Sequence, residues 1–292
     1  MISSHYIYFK CNDKTHLLSL IMTLEVMAHS VYISSNLTQQ QLKFMKLLDD
    51  YEIALFKFDE IENQINSKFN NLNEVLENLV HKELLSRIER GKFCKVNFRD
   101  ENIIGTFVVK NSAVAYWSAL NLHGLTEQFS NTIFIQTTQR KTDKALLGTP
   151  YKFVTINPGK RTGVMYNGYG NTKYPVTDIE KTIIDCFDQP QYSGGYAELI
   201  RALSQAEITD DKMINYCRQV GNTAATKRIG FLVELFKKPS MDKFIDFAKQ
   251  QINEKYNLFD PHGTEKGKFV AGWKLRLNIS KDEVLNITDK QY

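Results

Sequence analysis

The chain has little cysteine and no long apolar run. Cys11, Cys94, Cys186 and Cys217 are far apart, with no CxxC and no nearby histidine pair. That pattern argues against a structural zinc site or a disulfide framework and suits a reducing cytoplasm. The four thiols read as small apolar filler. No stretch approaches the ~18 consecutive apolar residues of a membrane span, so no membrane partner is expected. Five glycine and proline positions lie between Asn157 and Tyr174, but neither GxGxxG nor GxxxxGK[ST] occurs there. The segment therefore reads as a hairpin loop, with a strand over Thr162–Tyr169, and makes no case for a nucleotide loop.

What is present is an ordinary globular composition. There are 292 residues, 42% hydrophobic and 24% charged, enough for one large or two ordinary domains. The net charge of +4 is unevenly spread. Residues 36–98 hold nine Lys/Arg against ten Asp/Glu, whereas residues 99–292 hold twenty-six against twenty-one. Any polyanion affinity of the first stretch must come from local placement of cations.

Residues 1–37 read as an N-terminal extension. The run Leu17–Met22 is too short for a bilayer. Asp13 accompanies Lys10 and Lys14, and no clear small-residue cleavage site follows, which speaks against a signal peptide. A functional start at Met22 or Met27 is expected.

From Gln39 to Asp50, Leu42, Met45 and Leu48 recur at helical spacing; Ile53–Phe56 suits a short strand; Phe58–Ile65 suits a short helix capped by Asp59. Asn71 with Glu74 three residues on marks the start of a further helix with Leu72, Val75, Leu76, Leu79 and Val80 on one face. Leu84–Ile88 and Phe93–Phe98 then alternate like strands about Arg90-Gly91, a hairpin turn. Helix, strand, helix, turn, helix, hairpin is a winged helix-turn-helix order; a small α+β packing unit without nucleic acid is the plainer alternative. In a winged helix, the helix from Asn71 would enter the major groove by its N-terminal end, where Lys68, Asn70, Asn71 and Asn73 lie. An asparagine amide can pair with adenine, though Asn70 and Asn71 also suit capping and turning. Arg87, Arg90, Lys92 and Lys95 on the hairpin would hold phosphate rather than read bases. Glu74 and Glu77 would oppose phosphate if they faced it.

Arg99–Asn102 reads as a polar linker, and Ser112 as the cap of a helix over Ala113–His123 closed by Gly124. The segment Tyr116–Gln128, YWSALNLHGLTEQ, resembles the AbiEi-type antitoxins of type IV abortive-infection toxin–antitoxin systems. In that family a YxSALxxHGLTEQ-like segment follows a winged helix whose wing ends in an arginine–glycine turn, as in Leu84–Phe93, LLSRIERGKF. The strand Thr132–Thr138, the basic Gln139-Arg140-Lys141, the strand Tyr151–Ile156 and the helix opening Thr177–Asp185 follow in the family's order, over residues 38–236. The resemblance implies an α+β chain: a winged helix at 38–98, then a larger mixed α+β domain at 105–292. It implies a DNA-binding antitoxin that represses its own operon and counteracts a separate nucleotidyltransferase toxin, without requiring a stable complex and with no cofactor. Its partners would be operator DNA and the toxin. Arg140, Lys141, Lys144, Lys160 and Arg161 are candidates for the antitoxin face or for extra phosphate contacts.

Two other readings stay open. One is a transcription regulator without a toxin. The other is a metal-dependent nuclease built on Asp178, Glu180, Lys181 and Asp185. Against it, Asp178 suits an N-cap, and Asp178 and Glu180 are expected on different helix faces. His123 could suggest catalysis, but it ends a helix, where a histidine interacts favourably with the dipole. Four amphipathic helices are expected at Tyr196–Gln205, Asp210–Val220, Ala224–Phe236 and Asp242–Asn253, with Lys227-Arg228 and Lys237-Lys238 as solvated charge. Phe269–Asn278 alternates as a strand that would complete the sheet begun near Ile133.

Overall fold

Residues 36–289 are described by the structure, a computed structural model. The reading of residues 1–35 as part of an extension lies outside them. The chain is of mixed α+β class and divides into two compact units. One comprises residues up to 87 with 91–96; the other comprises 88–90 with 97 onward.

The first unit opens with α1 (Gln39–Asp50), started by a reciprocal cap. The Gln41 amide donates to Thr38 Oγ1 at 3.3 Å, and the Thr38 amide donates to Gln41 Oε1 at 3.2 Å. Then come β1 (Leu55–Lys57), α2 (Ile61–Gln64), α3 (Leu72–His81), β2 (Leu85–Glu89) and β3 (Lys92–Lys95). The three strands form one sheet in the order β1-β3-β2, with β1 antiparallel to β3. Gly91, at φ +71°, makes the turn between β2 and β3, a conformation that glycine adopts without a Cβ clash. The core is aromatic at its centre: Phe56 stacks on its register partner Phe93 at 5.7 Å, and Phe44 meets Phe56 edge-on at 5.6 Å. Leu72, Val75, Leu76 and Leu79 of α3 close it from above one face. The expected helix from Phe58 begins three residues late. The Phe58 amide is taken by Gly91 O at 2.9 Å, which continues the strand pairing, and Glu60 rather than Asp59 stands before the helix.

The second unit is built on a six-stranded mixed sheet. In chain order its strands are β4 (Ser112–Val114), β5 (Ile133–Thr137), β6 (Lys144–Leu146), β7 (Thr149–Thr155), β8 (Val164–Asn167) and β9 (Tyr174–Thr177). Their spatial order is β6-β7-β5-β4-β9-β8. Two expectations fail here. Residues 112–114 are a central strand, antiparallel to β5 and parallel to β9, and the helix α5 (Tyr116–Leu122) starts only after Ala115. Ala113, Val114 and Ala115 are all buried, so pairing on both sides overrides their helical preference. Ser112 is no cap; its hydroxyl donates to Thr106 and Val109 carbonyls. The supposed linker opens a helix instead, α4 (Glu101–Phe107), capped by Asp100, which accepts the Ile103 amide at 3.0 Å.

Helices follow: α6 (Ile179–Asp188), α7 (Tyr196–Gln205), α8 (Asp210–Val220), α9 (Thr223–Leu235), α10 (Asp242–Gln250) and α11 (Lys281–Asp289). The alternating stretch 269–278 does not join the sheet of Ile133. It breaks at a 3-10 turn, Ala271–Trp273, with Lys274 left-handed at φ +47°. Its halves, β11 (Lys268–Val270) and β12 (Leu275–Leu277), pair with each other and with β10 (Asn257–Leu258) in a separate three-stranded sheet. The break drives Trp273 into the core against Gly230 of α9. No described helix is long and apolar enough to cross a membrane.

A Cβ at Gly230 would lie 2.5 Å from the Trp273 ring and 2.9 Å from Ala248 Cβ. Alanine in place of an exposed helical glycine gains up to about 1 kcal/mol, whereas overpacking a core costs about 1–3 kcal/mol. Gly230→Ala is therefore expected to lower the urea midpoint; a raised midpoint would contradict this packing.

Candidate nucleic-acid interface and buried ionic network

The residues before 99 expected to meet a polyanion lie at two places, the start of α3 and the hairpin, of which Ile88–Arg90 group with the second unit. The N-terminus of α3 is capped by Asn71, whose Oδ1 accepts the Glu74 amide at 3.4 Å while Nδ2 donates to Glu74 Oε2 at 2.7 Å. Asn71 and Glu74 thus hold each other, and the Asn71 amide is committed to the cap. Lys68, Asn70 and Asn73 are exposed beside it. A groove of about 420 Å³ runs between the N-terminal ends of α1 and α3, lined by Gln39, Gln40, Gln41, Asn70, Asn71 and Asn78 among others. Its walls are largely side-chain amides, which both donate and accept.

At the hairpin, the cations are not equivalent. Arg87 is ion-paired with Glu77 and lies over the Phe93 ring at 5.4 Å, and Lys95 is ion-paired with Asp49. Glu77 therefore sits against a cation of its own unit. Arg90 is exposed at the turn, and Lys92 follows Gly91 half-buried. A phosphate would meet Arg90 at the exposed turn, but would compete with Glu77 for Arg87 and with Asp49 for Lys95.

The five cations of the second unit fall into separate settings. Lys141 donates to both Glu89 carboxylate oxygens, at 3.1 and 3.0 Å, and to Val108 O, and Lys144 pairs with the same glutamate. Lys160 pairs with Asp188 at 2.9 Å. Arg140 and Arg161 are exposed. The contacts gather Lys141 and Lys144 at Glu89, with Lys160 held elsewhere.

What the spacing of the sequence missed is a buried ionic network around α6. Asp178 is its N-cap, accepting the Lys181 amide at 2.9 Å. Its other oxygen accepts the Tyr216 hydroxyl at 2.9 Å and lies 3.2 Å from Lys212 Nζ. Glu180 reaches the same lysine at 3.2 Å and accepts the amide and hydroxyl of Thr209. The expectation that Asp178 and Glu180 face apart is thus corrected: Lys212 from α8 joins them. Among the described residues, no group of three His, Cys, Asp or Glu side chains has a metal-holding arrangement. Lys181 and Asp185, one turn apart, form an ion pair with both side chains buried. Asp185 Oδ2 has no hydrogen-bond partner, and burial pushes this carboxyl up to about 6 despite the Lys181 ammonium. Asp188, at the end of α6, takes Lys160 and the Asn222 amide at 2.7 Å. His123 Nε2 lies 2.6 Å from Thr177 O, so it donates there, a contact that ties α5 to the end of β9.

Lys227 and Arg228 are likewise not solvated. Lys227 donates to Asn253 Oδ1 and Lys255 O, and Arg228 donates twice to Leu258 O. Burial, then the neighbouring Arg228, pushes the Lys227 ammonium below its usual range. These two side chains satisfy carbonyls of the loop entering β10 and of the strand itself, where a buried unpaired carbonyl would be costly.

No family model matches this chain, and no curated protein matches it. Among solved structures, the crystal structure of the RV2827C protein from Mycobacterium tuberculosis is similar, with a TM-score of 0.59 at 12% sequence identity over 83% of this chain and 92% of that chain. At that identity the likeness is one of fold.

Removing one partner of a buried ion pair costs about 3–5 kcal/mol. Lys181→Met is expected to do so at pH 7.5, leaving Asp185 buried without its cation. The folded carboxyl, already raised above its unfolded value near 3.9, then rises further. Relative to the wild type, the loss is small below the wild-type folded value of about 6 and grows as the pH climbs from there toward the variant's higher value. Urea titrations should therefore show a smaller loss at pH 5 than at pH 7.5; equal losses would contradict the pairing.

Proposed function

We propose that the chain is a DNA-binding antitoxin and autorepressor acting in the cytoplasm against a nucleotidyltransferase toxin. In this reading residues 38–98 are a winged helix, and the α+β domain at 105–292 carries the neutralising role. The observation that supports it most is the arrangement of the first unit. Its order α1-β1-α2-α3-β2-β3, with β3 between β1 and β2, is compatible with the winged-helix reading and supports it. The helix ahead of the hairpin exposes Asn70 and Asn73 at its N-terminal turn, and the hairpin exposes Arg90 at its tip. Helix N-termini favour phosphate, and asparagine offers a paired donor and acceptor to adenine.

Roles divide by what each side chain is free to do. Lys68 and Arg90 hold backbone phosphate, with Lys92 beside the turn. Asn70 and Asn73 stand nearest the bases. Asn71 positions the helix through its cap, and Arg87 and Lys95 serve chiefly to fix the hairpin against Glu77 and Asp49. Because this stretch has nine cations against ten carboxylates, affinity depends on a few contacts, and binding should be modest with a shallow salt dependence.

Two experiments test the reading. In a salt titration with operator duplex taken from the chain's own upstream region, Arg90→Ala/Lys92→Ala is expected to weaken binding to all sequences and reduce the salt slope by about 0.9 per lost contact. An unchanged slope would remove the wing from the interface. In co-expression with the adjacent reading frame, the full chain should restore growth. A neighbour that is harmless alone would leave a plain DNA-binding regulator as the better account.

A further inference from the structure

Strand β8 is the outer strand of the six-stranded sheet, paired on its inner side to β9. It does not hide its side chains. Met165 is 45% exposed, Tyr166 67%, and Tyr169 in the following turn 88%, more than any other large apolar side chain described. The turn that carries Tyr169 is well held. Gly168 takes φ +91°, and a Cβ there would lie 2.6 Å from Thr172 O, so only glycine fits. The Thr172 amide and hydroxyl both donate to Tyr169 O, at 2.9 and 2.7 Å, and the Gly168 amide donates to Asn167 Oδ1 at 2.8 Å. The other end is pinned where the Asp178 amide donates to Gly163 O at 2.7 Å. Two tyrosine rings are thus displayed on an ordered strand and turn.

The charge of this segment is one-sided. Residues 157–177 contain Lys160, Arg161 and Lys173 and no Asp or Glu. Arg161 and Lys173 are exposed at either end of the strand and turn that carry the rings, while Lys160 is held by Asp188. Exposed aromatic rings between cations, with no carboxylate among them, match a chain that carries phosphates along its backbone and flat faces along its side. We infer that this edge binds single-stranded nucleic acid, with bases stacking on Tyr166 and Tyr169 and phosphates meeting Arg161 and Lys173. This contact is separate from the duplex-binding role proposed for the first unit and does not rest on it. A protein strand added to β8 would use only four residues of backbone and leave the cations without a role.

The test uses the full chain and fluorescein-labelled 12-mers of oligo(U) and oligo(dT), followed by anisotropy from low to moderate salt. Tyr166→Ala/Tyr169→Ala is expected to weaken binding at least about tenfold, and Tyr166→Phe/Tyr169→Phe to retain it, because stacking needs the ring and not the hydroxyl. Arg161→Gln/Lys173→Gln should weaken binding and lower the salt slope by about 0.7 per lost contact. Arg90→Ala/Lys92→Ala should weaken single-strand binding far less than either edge variant, which separates this edge from the hairpin. All four side chains concerned are exposed, and circular dichroism checks that each variant folds. Failure of both oligomers to bind, or equal binding by the tyrosine-to-alanine variant, would overturn the inference. So would a sedimentation shift from dimer to monomer in that variant with oligomer binding intact, which would assign the edge to a second copy of the chain.

Discussion

The second unit depends on burying a charged helix. Every residue of α6 from Glu180 to Phe187 is buried, including Glu180, Lys181 and Asp185. An ionic group cannot be taken from water without partners, so the surrounding elements are constrained to supply them. Lys212, Tyr216 and Thr209 come from α8 and the loop before it. Lys160 and Asn222 come from the turn before β8 and the cap of α9. The Lys181–Asp185 pair lies within α6 itself. Ile183, Ile184, Cys186 and Phe187 join the main apolar core from the same helix. The sheet, α8 and α9 thus meet at one element that is both apolar and ionic.

This constraint also limits where function can sit. The carboxylates that would suit metal chemistry by type are occupied in holding α6 in place. The cations that would suit phosphate are in part occupied too: Lys227 and Arg228 by carbonyls, Lys141 and Lys144 by Glu89. Positive side chains with open surroundings include Arg90 at the hairpin and Arg161 and Lys173 around β8. A charge count over the whole chain therefore says less about partners than the fate of each side chain.

Local signals were legible where one short stretch decides the structure. The spans of α1, α7 and α8 follow from their apolar spacing, and Asn71 with Glu74 marks the start of α3. Legibility fails where distant strands decide. Residues 112–114 have helical neighbours in sequence but strand neighbours in space. The stretch 269–278 reads as a strand, alternating from Trp273, and still breaks, because Trp273 has a buried place against Gly230. Of the candidate interface, the positions of Asn70, Asn73 and Arg90 could be read from the hairpin and cap pattern. The ion pairs holding Arg87 and Lys95 could not, since Glu77 and Asp49 come from other elements. Lys212 at Asp178 and Glu180 joins residues about thirty apart, beyond the reach of any local periodicity.

Native-state hydrogen exchange across a range of denaturant tests the role of α6 most directly. Amides of residues 182–188 are expected to exchange only through global unfolding, with a denaturant dependence equal to that of the whole second unit. Amides of α11, of which only Val284 is buried, should exchange through smaller openings. Exchange of α6 amides as fast as those of α11 at low denaturant would contradict its place as the element on which the fold is assembled.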